Sequence, residues 1–354
     1  MKMILGATAL LVLQTGVANA TPVLVQSEGH AQNPTWSNDG EWLAFEVNNL
    51  SNSVELWIAN VSSGRVQDSK QVRIPGATRS FGGGSSSVVA APAWTSVPST
   101  MAFFEGSNAG GLLRLYYALP GSASPNELIT MDSVSGNITA PTVSGNGARF
   151  AFTSDISGNG DIYVWDLAGG GAPMVASATS ASENLPSFDE QGERLVFSRN
   201  GDGEDVYWWD RQDNSGLVAG GAGDQTRPVW IGDQVAYFSS SRGEGHWDIR
   251  VSGATGGQSR TVARDVRLPV RARPAATPDG TAVAWASADP DASGVISVSK
   301  LDGSGTVSIS TGLVACAEPS LVSVGGRVWL AFTALPAEGA DWRKLHIIDV
   351  TNQL

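Results

Sequence analysis

From Asn33 to Asn60 the chain reads NPTWSNDGEWLAFEVNNLSNSVELWIAN. A Pro-led run ends in the turn Ser37-Asn38-Asp39-Gly40. An apolar run follows, Trp42-Leu43-Ala44-Phe45, and after a polar loop comes another, Leu56-Trp57-Ile58-Ala59. The Asp-Gly pair supplies the positive φ that a tight hairpin demands. Neither apolar run has the three-to-four-residue spacing of an amphipathic helix, and both are rich in aromatic and β-branched residues, so both are expected as strands. The unit then returns. Pro92-Ala93-Trp94 precedes Met101–Phe104, Pro141–Gly147 precedes Phe150–Phe152, and Pro186–Gly192 precedes Leu195–Phe197. Pro228-Val229-Trp230 leads into Val235–Phe238, Pro274–Gly280 into Val283–Trp285, and Pro319-Ser320-Leu321 into Val328–Phe332. The seven prolines are spaced by 58, 49, 45, 42, 46 and 45 residues. Repetition of a few short strands at roughly 40–50 residues is the signature of a β-propeller. The expected fold is all-β: a seven-bladed β-propeller of four-stranded blades.

Within a blade the Pro-led run is expected innermost and the apolar-Ala-Phe strand second. A strand such as that ending in Asp166-Leu167 is third, and a short outer strand such as Pro173–Ala176 is last. The last repeat runs out after three strands, while Thr21–Gln26 has no sheet of its own. Pairing Val23-Leu24-Val25 with the final blade would close the ring and hide an edge. Alternating strand directions put the Asp-Gly turns on one face. The other face carries the blade-to-blade connections and the longer loops: Pro75–Ala90, Asp155–Gly160, Asn200–Asp205, Ser240–Trp247, Asp289–Gly294 and Ala334–Trp342.

The pattern P-x-W-S-x-D-G, apolar-Ala-Phe, then D-I-Y-V-W-D-L-x-G-G resembles the TolB-type, WD40-like propeller repeat (PD40). The fullest copies are Pro34–Phe45 and Pro141–Gly170. That resemblance implies a periplasmic protein of a Gram-negative cell with a protein partner. Proteins of the TolB family carry an α/β domain ahead of the propeller, whereas about a dozen residues separate Ala20 from Pro34 here. Similar repeats also occur in pectin-fragment lyases, which use several clustered histidines around a metal, and in prolyl-oligopeptidase-type proteases. The latter need a Gly-x-Ser-x-Gly nucleophile turn in a following α/β domain, and no such motif follows the last repeat.

Composition sharpens the picture at three points. Met1-Lys2, an apolar run over 3–17 and Ala18-Asn19-Ala20 read as a secretory signal peptide, residues 1–20, ahead of a single propeller domain over 21–354. The apolar run is shorter than the roughly 20 residues of a membrane span, so no span is expected after cleavage. The protein is expected to be periplasmic or secreted, and monomeric. Cys316 is the only cysteine, so no intrachain disulfide staples the fold. The net charge of −12 argues against nucleic acid as a partner.

Against that acidic background stands a basic cluster, Arg260, Arg264, Arg267, Arg271 and Arg273. Arg271 and Arg273 directly precede Pro274, and Arg227 precedes Pro228, which brings them to the mouth of the central channel. Guanidinium groups there suit a carboxylate or phosphate; the alternative is pairing with acids such as Asp224 or Glu318. The expected binding residues are Arg227, His246, Trp247, Arg271, Arg273 and Trp342, the loop tryptophans being placed to touch a partner or a sugar ring. Trp36, Trp94 and Trp230 share one repeat position and are expected between blades. No catalytic or metal-binding residue is assigned. Calcium is conceivable in Asp155–Asp161 or Asp202–Asp205, where alternate oxygen ligands occur without a closing glutamate. His346, in an alternating strand, is expected to pack. The expected function is non-enzymatic: a scaffold for an envelope protein or an acidic small ligand or peptide. The alternative is a carbohydrate-active lyase or hydrolase using the channel mouth.

Overall fold

A computed structural model describes residues 17–19, 21–26, 29–48, 54–72, 89–95, 101–107, 112–122, 126–127, 136–166, 169, 171–269 and 271–354. Their strands gather into seven antiparallel sheets arranged as the blades of a ring. Blade 1 comprises His30–Trp36, Trp42–Asn48, Val54–Asn60 and Asp68–Val72; blade 2, Val89–Thr95, Met101–Ser107, Leu113–Ala118 and Asn126–Glu127. Blade 3 comprises Ile138–Val143, Arg149–Ser154, Asp161–Asp166 and Met174–Ser177; blade 4, Ser182–Phe188, Arg194–Asn200, Glu204–Asp210 and Ser215–Ala219. Blade 5 comprises Gln225–Ile231, Gln234–Ser239, Asp248–Gly253 and Arg260–Ala263; blade 6, Ala275–Ala276, Ala282–Ala286, Val295–Lys300 and Val307–Ser310. Blade 7 takes three strands from the end of the chain, Val314–Val324, Arg327–Leu335 and Lys344–Asp349. Its fourth, Val23–Gln26, pairs antiparallel with the third in the register Val23↔Ile347 and Leu24↔His346. The expected closure is therefore the observed one. A further short strand, Val17–Asn19, lies parallel to Val307–Ser310 at the outer edge of blade 6. Residues 96–99, where the second repeat has no Asp-Gly, and nearly all of the link over 75–90 lie outside the described residues.

The core is distributed around the ring, because each sheet exposes an apolar row on both faces and buries each against a neighbour. Leu43 and Phe45 of blade 1 cluster with Val322 and Ala331 of blade 7, while Ala44, Leu56 and Ile58 meet Trp94 and Phe104 of blade 2. The same arrangement recurs at the other five seams. Trp36, Trp94 and Trp230 are all buried in these seams, as their shared repeat position implies. Two of them also donate across: Trp36 Nε1 to the Ser320 carbonyl at 3.2 Å, and Trp94 Nε1 to the Thr35 carbonyl at 3.0 Å.

The Asp-Gly turns close as their chemistry demands. Ser37 Oγ takes the Trp42 N–H at 2.9 Å and bonds Asp39, and Gly40 sits at φ 67°. A Cβ on Gly40 would lie 2.6 Å from Val324 of blade 7, so the turn needs glycine for its space as well as its φ.

The inner strands carry a feature that no glycine signals. Asn33, Ala140, Leu185, Arg227 and Glu318, each the residue before a repeat proline, have φ between 49° and 56°. The register with the second strand slips at each of them. A bulge of this kind costs roughly 1–2 kcal/mol at a non-glycine residue. It turns the proline and the carbonyls around it out of the ladder and toward the channel. Blade 6 departs from the rule: its inner strand is only Ala275–Ala276, and the preceding segment enters the channel mouth.

Candidate functional site at the channel mouth

Where the inner strands converge lies a cavity of about 270 Å³. Pro34, Pro92, Pro141, Pro274 and Pro319 line it, with Ala93, Ala140, Leu185, Val229 and Leu321 supplying more apolar wall. Asn33, Thr35, Thr142, Ser187, Ser320, Arg271 and Arg273 bring the polar groups. Outside blade 6, the proline rings reach it because the bulges turn them inward.

Arg273 is the central cation. Its Nη1 donates to the carbonyls of Leu185 at 3.1 Å and Pro228 at 2.5 Å, and its Nη2 to that of Pro186 at 2.7 Å. All three acceptors belong to the bulges of blades 4 and 5, whose carbonyls the slipped register leaves free. One side chain from blade 6 thus satisfies the inner edges of two other blades. No carboxylate among the described residues pairs with it, and protein encloses the guanidinium although part of the side chain still touches the channel. Burial first, and the neighbouring Arg227 charge second, bring its pKa down to about 10.

Arg227 works in the opposite direction. Its Nη1 donates to the carbonyls of Pro269 and, at 3.3 Å, Ala272, clasping the segment that enters blade 6. Burial lowers its pKa, against a smaller opposing effect of Glu204. Arg343 repeats the device on the Ala315 carbonyl, another residue with φ above 50°, and burial lowers its pKa as well. Arg271 is exposed at the rim of the cavity.

The proposed acidic partners of the basic cluster turn elsewhere. Glu318 accepts from the Asn33 backbone N–H at 3.1 Å and from Thr333 Oγ1 at 3.2 Å, and Asp224 accepts from the Glu204 N–H at 3.1 Å. Burial, helped by the nearby Glu46 carboxylate, pushes the Glu318 pKa up from its ordinary 4.5. Glu46 in turn takes Asn33 Nδ2 at 3.0 Å and Gln32 Nε2 at 2.7 Å. Asn33, absent from the sequence-based set, therefore lines the mouth beside Arg271 and Arg273. Asn33 was signalled only by its place before Pro34.

The other sequence-selected residues do not converge on this cavity. His246 Nδ1 is 2.9 Å from Asp265 Oδ1, in an exposed group with Arg242, which also grips Asp248. Trp247 is half-buried against the blade 5–blade 6 core, and Trp342 lies under the Lys344 ammonium at 5.8 Å. His30 and His346 belong to blades 1 and 7, and His346 stacks on Phe332 at 5.7 Å. Among the described residues no three His, Cys, Asp or Glu side chains come together as a metal-binding group. In the two loops considered for calcium, Asp155 is taken by Asn137 N and Nδ2 at 2.6 and 2.8 Å, and Glu204 by Thr226 Oγ1 at 2.7 Å. No helix among the described residues is long and apolar enough to cross a membrane.

Neither a family model nor a curated protein matches the sequence. Solved structures do match its fold. TolB from Acinetobacter baumannii superposes with a TM-score of 0.53 at 14% identity over 88% of this chain, which spans only 64% of the TolB chain. An oligogalacturonate lyase from Vibrio parahaemolyticus gives 0.62 at 13% identity, covering 92% of this chain and 91% of the lyase. A puromycin-hydrolyzing peptidase from Mycobacterium tuberculosis also gives 0.62, at 15% identity, with 92% of this chain matched to 51% of the peptidase. At such identities the shared property is architecture: the chain has a β-propeller fold like that of TolB and of these enzymes' matched regions.

Proposed function

We propose that the chain is exported after removal of residues 1–20 and works without catalysis, as a binding scaffold in the envelope of a Gram-negative cell. The channel mouth would receive an acidic segment of another envelope protein, or a small acidic ligand. The observation that carries this reading is the unneutralised Arg273 beside an apolar cavity, with Arg271 at the rim, in a protein of net charge −12. A positive well on an acidic surface selects its ligand by sign and steers it in. The apolar proline wall suits a flat or aliphatic body behind the charged group.

The test uses residues 21–354 and a fluorescent glutamate-rich peptide. Binding should weaken steeply as salt rises, since screening acts over roughly 10 Å at 0.1 M. Arg271→Glu should abolish it with the melting temperature unchanged. Absence of binding at low salt, or indifference to Arg271→Glu, would refute the reading.

A further inference from the structure

A second cavity, about 380 Å³, opens on the flank between blades 4 and 5. Its polar wall is written by strand register. Tyr237 pairs with Arg250, and Gln225 with Ser239, so all four side chains stand on the face of blade 5 turned to blade 4. In blades 2, 3, 4 and 7 the position of Arg250 holds a ring stacked on its cross-strand aromatic neighbour, while blade 6 sets Ser297 opposite Trp285. Tyr116 lies 6.0 Å from Phe104, Tyr163 5.6 Å from Phe152, Tyr207 6.3 Å from Phe197, and His346 5.7 Å from Phe332. Blade 5 alone replaces that ring with a cation.

Arg250 is poorly occupied by the protein. Its Nη2 donates to Ser259 Oγ at 2.7 Å and its Nη1 to Ser241 Oγ at 3.3 Å, and no carboxylate among the described residues pairs with it. Its Nε–H is buried without a partner. Because both serine oxygens accept from the guanidinium, their own O–H groups remain free to donate. Gln225 supplies the opposite need. It is 3% exposed, and its Nε2 is fixed by the carbonyls of Ala222 at 3.2 Å and Gly223 at 3.1 Å. That assignment leaves Oε1 as a buried acceptor with no donor. Orphaned buried polar atoms of this kind cost free energy unless something meets them.

We propose that this flank cavity binds a small phosphate monoester of a polyol, with the phosphate on Arg250, Ser241 and Ser259 and a hydroxyl donating to Gln225 Oε1. A guanidinium with two hydroxyl donors matches a phosphate's several acceptor oxygens. A bare anion leaves the glutamine oxygen unmet, because a phosphate alone is small against this volume. Two acids at the seam, Asp205 and Asp224, bond the backbone of Gly221 and Glu204 and make no ion pair with Arg250.

Calorimetry and ³¹P line broadening on residues 21–354 provide the test, with glycerol 3-phosphate and glucose 6-phosphate as probes. Inorganic phosphate serves as the anion-only arm and glycerol as the hydroxyl-only arm. Saturable one-to-one binding of an ester is expected, with inorganic phosphate at least roughly tenfold weaker and glycerol silent. Arg250→Lys keeps the charge but loses the fork, and should weaken the ester by roughly tenfold. Ser259→Ala, at the rim, should weaken it several-fold and guards against misfolding of the arginine variant. No binding of either ester at about 10 mM overturns the proposal. So does ester binding that both variants leave unchanged, or inorganic phosphate binding as tightly as the esters.

Discussion

Arg273 was legible in the sequence as a cation near the channel, but its partners were not. The sequence offered two fates for it, an open charge or a pair with a neighbouring acid. The fold uses a third: three carbonyls released by bulges on two other blades. Those carbonyls are invisible beforehand, because the residues at the bulges are Asn, Ala, Leu, Arg and Glu, with no glycine to mark the left-handed backbone. Arg273→Gln should therefore destabilise by about 2–4 kcal/mol, the cost of leaving several buried acceptors without a charged donor. Arg271→Gln, at an exposed site, should stay within about 0.5 kcal/mol. Denaturant unfolding of both variants separates the two roles. Glu318 offers a pH test. Burial raises its pKa, so its contribution to stability is full below the unfolded value near 4.5 and is lost as pH rises through the folded value. Glu318→Gln should flatten that decline and be no less stable than the parent at pH 7, measured as denaturant midpoints over a pH series.

At the level of strands, the alternation of apolar runs and Asp-Gly turns was enough to place the second and third strands in order within a blade. Asp161-Ile162-Tyr163-Val164-Trp165-Asp166 forms a strand with the bounds its pattern implies. Inner strands were less readable. Blade 6 keeps only Ala275–Ala276 because the residues before Pro274 are drawn into the channel by Arg227 and Arg273, a tertiary demand that outweighs local strand propensity. The pairing of Val23–Gln26 with Lys344–Asp349 can be tested directly. Deleting 21–26 exposes the edge of the last blade and uncovers the positions of Val25 and Gln26, both buried. The loss should be roughly 3 kcal/mol, from a short strand's hydrogen bonds and apolar area. An unchanged denaturation midpoint would show that the pairing contributes nothing to the closed ring.

For the whole molecule, proline spacing counted the blades correctly even through a second copy that lacks the Asp-Gly turn. Binding chemistry was harder to read, because it lies where repeats depart from one another: Arg250 in place of a ring, and the entry to blade 6. With no disulfide, cohesion rests on seven apolar seams, each shared by two blades. Reductant should accordingly leave the melting temperature where it is. Cys316 is buried, its thiol lies 3.3 Å from Thr311 Oγ1, and burial pushes its pKa up.

Closure by the chain's two ends also sets an order of events in time. Synthesis runs from the first residue to the last, so Val23–Gln26 is made among the earliest strands and its partner Lys344–Asp349 among the latest. The early strand has to wait, unpaired, while six blades are completed. Contacts this distant in sequence form slowly. A nascent or truncated chain is thus an open arc with two raw apolar faces, one on blade 1 and one on the latest blade finished. Whatever attends this protein before release, a chaperone or the geometry of the exit itself, has those two faces to shield until the last strand arrives.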